Sequence, residues 1–190
     1  AGRPAVLFEP NAKSGAANRF LSRFATLAAL GVPGPARELR CPTVVTGVPV
    51  RPEFFAVHEA LPGAPAPALL VLGGSQGAQA LNLALPAVIA ALPAAVRPQI
   101  RHQAGRVQAA EVTQRYATGG IAAEVLSFID DMAAAYGWAD LVVCRAGALT
   151  IAELTAAGIG AILVPFPQAA DDHQTRNAAF LVDAGAGRLL

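Results

Sequence analysis

Three stretches of this chain carry residues whose types and spacing suit recognition of a diphosphate, a ribose or a sugar. In the first, Leu70-Val71-Leu72-Gly73-Gly74-Ser75-Gln76-Gly77, a short apolar run breaks into a glycine turn that leads into a helical pattern. Glycines let the backbone approach a ligand closely, and the helix start favours an anion such as a diphosphate. Ser75 adds a hydroxyl donor. A tight turn with no ligand accounts for the same residues. The stretch is neither a Walker A motif, which needs Gly-Lys-Ser/Thr, nor a G-x-G-x-x-G fingerprint.

The second stretch runs from Val143 to Glu153, through Cys144-Arg145-Ala146-Gly147 into Ala148-Leu149-Thr150-Ile151-Ala152. Thr150 and Glu153 have the spacing of a capping box, in which each side chain satisfies a free backbone N–H. The alternative is that Glu153, at the mouth of a sheet, accepts hydrogen bonds from two ribose hydroxyls, one on each carboxylate oxygen. The third stretch, Pro165 to Asn177, ends an apolar run with two prolines and passes through a polar loop into a helix starting near Asp171 or Asp172. Gln174 and Asn177 lie one turn apart on that helix, where Gln174 either faces a sugar hydroxyl or is an ordinary surface amide. His173 is a base by residue type, but a single histidine is weak evidence for that role. Asn11 closes an earlier strand-like run, and Arg51 either pairs with phosphate or is a charge on a linker. No metal-ligand cluster, Ser-His-Asp set or Cys-His pair is arguable from spacing.

Each stretch joins a short apolar run to a helical one, the alternation of βαβ units in a parallel sheet, and such sheets bind ligands at the carboxyl ends of their strands. Strands are expected near residues 5–8, 43–46, 68–72, 99–103, 122–126, 140–144, 161–164 and 187–190. Helices are expected near 16–23, 77–92, 106–117, 131–137, 150–157 and 172–184. Leu81, Leu85, Val88 and Leu92 recur at helical intervals and should face the sheet, and Pro86 should kink or split that helix near Leu85. The proline-rich run 61–67 is a loop, so a domain boundary is expected just before it. Residues 52–190 then form one nearly complete doubly wound domain and residues 1–51 the tail of another.

The 190 residues are 54% hydrophobic and 14% charged, which excludes a disordered chain. Alanine supplies much of the excess, and no run reaches the roughly 18–20 apolar residues of a membrane span. A net charge of +1 with scattered arginines offers no broad basic surface for nucleic acid. Cys41 and Cys144 are far apart, which suggests neither disulfide nor metal; Cys144 reads as a buried apolar thiol. Both chain ends, Ala1-Gly2-Arg3-Pro4 and Gly187-Arg188-Leu189-Leu190, run straight into or stop inside strand-like segments. The chain is therefore expected to be a piece of a longer protein.

Five segments, LFEPNAKSGAAN, GVPVR, LLVLGGSQGAQALN, SFIDDMAAAYGWADLVVCRAGALTIAELTAAG and VPFPQAADDHQTRNA, together resemble the MurG family in order and spacing. The run Phe128-Ile129-Asp130-Asp131-Met132, followed by the Ala139–Thr150 segment, is particularly specific. The resemblance implies a GT-B glycosyltransferase: two Rossmann-like domains facing across a cleft, with UDP-N-acetylglucosamine held mainly by the C-terminal one. Position by position it puts Ser75 near the diphosphate, the Ile129 backbone on the uracil, Ala148, Leu149, Thr150, Ile151 and Ala152 around the nucleotide, and Glu153 on the ribose. It puts Gln174 on the sugar, and Asn11 and Arg51 on the donor from the other side of the cleft and the hinge.

The implied reaction is inverting, metal-independent and needs no cofactor. It transfers N-acetylglucosamine to the C4 hydroxyl of an undecaprenyl diphosphate-linked muramoyl-pentapeptide, at the cytoplasmic face of the bacterial cell membrane, where the protein is peripheral. The family's N-terminal glycine loop and histidine are not among these residues, so no catalytic base is assigned, and this chain alone is expected to turn over no lipid substrate. Phe8-Glu9-Pro10-Asn11 departs from the family's usual His-Glu-Gln-Asn. Two other readings remain: a GT-B transferase with a different lipid acceptor, and a nucleotide-sugar-binding module without catalysis.

Overall fold

The computed structural model describes residues 3–60, 67–74, 77–167 and 172–190, with the side chains of residues 58–60 left aside. Two parallel sheets organise the chain. The smaller has the order β1-β2-β3, from β1 (Val6–Glu9), β2 (Leu27–Leu30) and β3 (Thr43–Val45), with Val6 opposite Leu27 and Ala28 opposite Thr43. Helix α1 (Ala16–Leu21) makes the first crossover. Ala28, Leu30 and Cys41 form its small buried core. Sequence periodicity misses β2, because Leu27-Ala28-Ala29-Leu30 has no β-branched or aromatic residue to mark it as a strand.

The larger sheet has six parallel strands: β4 (Ala68–Leu72), β5 (Gln99–Gln103), β6 (Glu124–Leu126), β7 (Leu141–Cys144), β8 (Ala161–Leu163) and β9 (Gly187–Leu189). The crossovers are α2 (Gln79–Ala90), α3 (Ala109–Thr118), α4 (Met132–Trp138), α5 (Ala148–Ala157) and α6 (His173–Asp183). β4 is central, and all five of its side chains are buried. They alternate between faces as a strand requires. Leu70 and Leu72 join the core under α4, α5 and α6, whereas Leu69 and Val71 join the core under α2 and α3.

The strand order is β6-β5-β4-β7-β8-β9. The chain starts in the middle, winds to one edge, then returns to β7 and winds to the other. Between β4 and β7 the winding reverses, and Leu72 lies opposite Cys144 there. The loops that follow these strands leave in opposite directions, which opens a crevice at the carboxyl edge.

Two local expectations need correcting. α2 is one helix from Gln79 to Ala90, with Pro86 inside it and buried, not split at Leu85. Its buried side is Leu81, Asn82, Pro86 and Ile89, while Val88 is exposed. Counting 3.6 residues per turn from Leu81 and Leu85 reaches Ile89, so Val88 falls to the flank.

Candidate functional site

The carboxyl edge beside the winding reversal brings most of the chemistry-bearing stretches together. After β4, the Gly73 N–H donates to the Gln103 carbonyl (3.0 Å) and the Gly77 N–H to the Gly74 carbonyl (3.1 Å). Gly77 has φ +80°, and a Cβ there would lie 2.3 Å from the Ala104 carbonyl oxygen, so this position admits only glycine. α2 follows with Ala78 at its N-cap, which has no side chain able to bond the first-turn N–H groups. Those groups carry the positive end of the helix dipole into the crevice. Ser75 lies outside the described residues, between Gly74 and Gly77.

Across from this helix start stands Arg145, the first residue after β7. Its Nη1 donates to the Val164 (3.0 Å) and Pro165 (2.8 Å) carbonyls, and its guanidinium lies 5.5 Å from the centre of the Phe166 ring. Burial lowers its pKa, but a guanidinium remains charged at neutral pH. Residues 77–80, Arg145, Phe166, Pro167 and Gln174 line a cavity of about 470 Å³. Gln174 is anchored there, its Oε1 accepting from the Phe166 N–H (2.9 Å), which leaves its amide NH2 as the group able to donate to a ligand.

Glu153 lies on the neighbouring crossover. α5 starts at Ala148 with Gly147 as its N-cap, so Thr150 is already inside the first turn and the capping-box reading fails. Glu153 is half-buried, and its Oε2 accepts from the Tyr136 hydroxyl (3.2 Å). Burial raises the Glu153 pKa, while the Tyr136 bond and the Arg51 charge act in the opposite direction. Arg51 is exposed, pairs with Glu53 (3.2 Å) and stacks over Phe54 (4.9 Å). Phe54 is buried in the 3-10 helix Pro52–Ala60 and tilts against Tyr136 at 5.6 Å, and this packing keeps Arg51 within electrostatic reach of Glu153.

The remaining expected residues occupy different surroundings. Ile129 and Ile151 are buried in the core with Phe54 and Tyr136, so only their backbones can address a ligand, whereas Leu149 is exposed. Ala148, Ile151 and Ala152 also line a mainly apolar groove of about 660 Å³ that reaches Pro10, Val48 and Val50 near the smaller sheet.

Asn11 does not stand free. Buried Glu9 accepts from the Asn11 backbone N–H (3.1 Å), its Nδ2 (3.1 Å), the Gly15 N–H (2.9 Å) and Asn18 Nδ2 (2.9 Å). The turn so formed is joined to α6 by Asn177. Asn177 Oδ1 accepts from the Ala12 N–H (2.8 Å), and its Nδ2 donates to Asn11 Oδ1 (3.2 Å) and the Ala146 carbonyl (3.2 Å). One buried amide thus connects the smaller sheet, the loop after β7 and the helix carrying Gln174.

Sequence reasoning passed over two of these residues. Arg145 had a usable signal, a lone cation directly after a buried strand. Asn177 had only its spacing from Gln174, because its partners lie 31 and more residues away.

A doubly wound sheet, an uncapped helix start facing an arginine, and a second sheet clasped to the same edge together make the architecture of a GT-B glycosyltransferase. The model of the glycosyltransferase family 28 C-terminal domain matches residues 68–190, and the chain belongs to that family. It is 54% identical over 193 residues to the UDP-N-acetylglucosamine--N-acetylmuramyl-(pentapeptide) pyrophosphoryl-undecaprenol N-acetylglucosamine transferase of Chromohalobacter salexigens, covering 99% of this chain and 52% of that protein. Identity to the protein of the same name from Pseudomonas aeruginosa is 54% over 195 residues, covering 100% and 53%. The chain therefore spans about half the length of the curated relatives it matches. The crystal structure of Acinetobacter baumannii MurG superposes on the whole chain with a TM-score of 0.82 at 39% identity, covering 54% of that structure. The glycosyltransferase SnogD from Streptomyces nogalater, at 17% identity and a TM-score of 0.51 over 87% of this chain and 44% of its own, shares the fold alone.

Proposed function

We propose that this chain is the donor-holding part of an enzyme that transfers N-acetylglucosamine, with inversion, from its UDP conjugate to the C4 hydroxyl of undecaprenyl-diphospho-muramoyl-pentapeptide. The observation that carries the reading is the cavity at the winding reversal, where the α2 start, Arg145 and Gln174 face one another. On this reading residues 52–190 are the donor domain and residues 1–51 belong to its Rossmann-like partner. The α2 N–H groups and Arg145 stabilise the charge that develops on the departing UDP. Glu153 accepts from the ribose hydroxyls, the Ile129 backbone addresses the uracil, and Gln174 holds the sugar. Ser75 and the 148–152 segment complete the nucleotide contacts, with Asn11 and Arg51 approaching from the opposite wall. The names of the relatives at 54% identity support the choice of donor and acceptor.

The reaction takes place at the cytoplasmic membrane face, and the basic first 51 residues suit that position. Residues 1–51 hold seven Lys and Arg against two Asp and Glu, whereas residues 52–190 hold seven against eleven. Among the described residues no helix is long and apolar enough to cross a membrane. Co-sedimentation with anionic vesicles, lost at about 0.5 M salt as screening requires, is the expected behaviour.

Calorimetric titration with UDP-N-acetylglucosamine, UDP-glucose and UDP tests the donor site. The expected result is binding selective for the N-acetylglucosamine conjugate and abolished by Glu153→Ala. Equal binding of all three by both proteins would remove the assignment.

A further inference from the structure

A buried polar chain lies behind the glycine turn, on the side of the sheet away from Glu153. His102 on β5 is fully buried. Its Nδ1 lies 3.0 Å from the Tyr116 hydroxyl on α3, and its Nε2 lies 3.0 Å from Asn82 Oδ1 on α2. Asn82 Nδ2 in turn donates to the Ala104 carbonyl (2.9 Å) and to Gln108 Oε1 (2.6 Å). Those two acceptors fix the Asn82 amide, because a flipped amide would set oxygen against oxygen. Asn82 therefore presents its oxygen to His102, and Nε2 must carry the proton. The only consistent chain runs from the Tyr116 O–H to Nδ1, and from Nε2–H to Asn82. Burial lowers the His102 pKa to about 4, so the ring stays neutral and keeps this tautomer at physiological pH.

This chain ends at the glycine turn. The Asn82 N–H bonds the Ala78 carbonyl (2.9 Å), which places the side chain one turn inside the α2 start. The Ala104 carbonyl that Asn82 grips is the same one that a Cβ on Gly77 would strike, and its neighbour Gln103 accepts from the Gly73 N–H. The end of β5 thus braces the turn at both sides. Ala78 supplies no side-chain cap to α2, and among the described residues the Asn82 side chain ties the helix start to the sheet. We infer that Tyr116, His102 and Asn82 form a positioning relay, which holds the α2 start and the adjoining Gly77 in the geometry that receives a nucleoside diphosphate. None of the three is a catalytic residue. The inference rests on the donor-site reading for its ligand, but not for its mechanical content.

The test compares His102→Leu, which removes the donor to Asn82, with His102→Gln, whose amide NH2 restores a donor near the Nε2 position. Affinities for UDP and for uridine are measured by calorimetry, and amide exchange is followed at residues 77–82. His102→Leu should weaken UDP binding about tenfold, the scale of one lost buried hydrogen bond, while uridine binding stays within about twofold. His102→Gln should recover most of the loss, and exchange at Gly77 and Ala78 should quicken in the leucine variant alone. If His102→Leu fails to fold, Tyr116→Phe should show the same pattern at about two- to threefold. Parallel loss of UDP and uridine binding, or unchanged exchange at residues 77–82 in a folded variant, would overturn the relay. If the wild-type chain binds no UDP, the donor-site reading falls, and exchange alone then decides whether the relay holds the turn.

Discussion

Glu153 is held in two opposing ways: burial disfavours its charge, and the Tyr136 hydroxyl and Arg51 favour it. Because burial dominates, its folded pKa lies above the ordinary carboxylate value, and at neutral pH the ionised group opposes folding. Its contribution to stability is therefore present at low pH and lost as pH rises through the folded pKa. Glu153→Gln keeps an acceptor for Tyr136 and removes the buried charge. Its urea midpoint at pH 7 should equal or exceed the wild-type value, while its nucleotide affinity falls. On the proposed role of Glu153 as acceptor for the ribose hydroxyls, uridine binding should weaken on acidification from a higher pH than a free glutamate would give. Uridine keeps phosphate titration out of the measurement, and Glu153→Gln should show a flat profile over the same range.

At the scale of elements, Asn177 shows how a helix can be tied to a neighbouring sheet by one amide. Asn177→Ala leaves the Ala12 N–H without its acceptor inside a closed contact, a loss of about 1–3 kcal/mol, to be read from urea unfolding. Asn177→Asp should be no better, since one oxygen would then face the Ala146 carbonyl and Asn11 Oδ1 without a proton between them. Gly77→Ala is expected to be worse still. Its φ is unfavourable for alanine and the methyl meets backbone, so nucleotide binding should be lost even where the variant folds.

Such features also mark the limit of what a sequence discloses. β4 and β7 declare themselves because strands buried on both faces are continuous apolar runs ended by glycine or a polar break. The glycine turn and the Arg145–Gly147 loop are legible for the same reason, being what those runs end on. β2 is not legible, because its alanines suit a helix equally well. The capping box at Thr150 and Glu153 has the correct spacing but the wrong frame, as Gly147 starts α5 earlier and frees Glu153 for Tyr136. Asn177 and the His102 relay depend on partners brought close only by the folded sheets, and no local pattern encodes them.

For the molecule as a whole, binding at the α2 start should appear as stability, since a ligand that meets its N–H groups binds the folded chain and not the unfolded one. At a concentration one hundred times Kd, UDP should raise Tm by about 5–10 °C for a chain of this size. Uridine at the same concentration should raise it far less, and the difference isolates the diphosphate contribution. Equal shifts for the two ligands would place the anion elsewhere.

The reversal of winding between β4 and β7 has a consequence for descent. α2 reaches the crevice from one face of the sheet, and α5 and α6 reach it from the other, where they share a core. On the proposed role of Gln174, a lineage could remodel α6 and with it the choice of sugar, while the grip on the nucleotide passed on unaltered. Asn177 sets a condition on such inheritance, because the helix that carries Gln174 also fastens the two sheets. A sugar-switching graft that omitted this asparagine would gain its new preference together with a weaker tie between the two sheets.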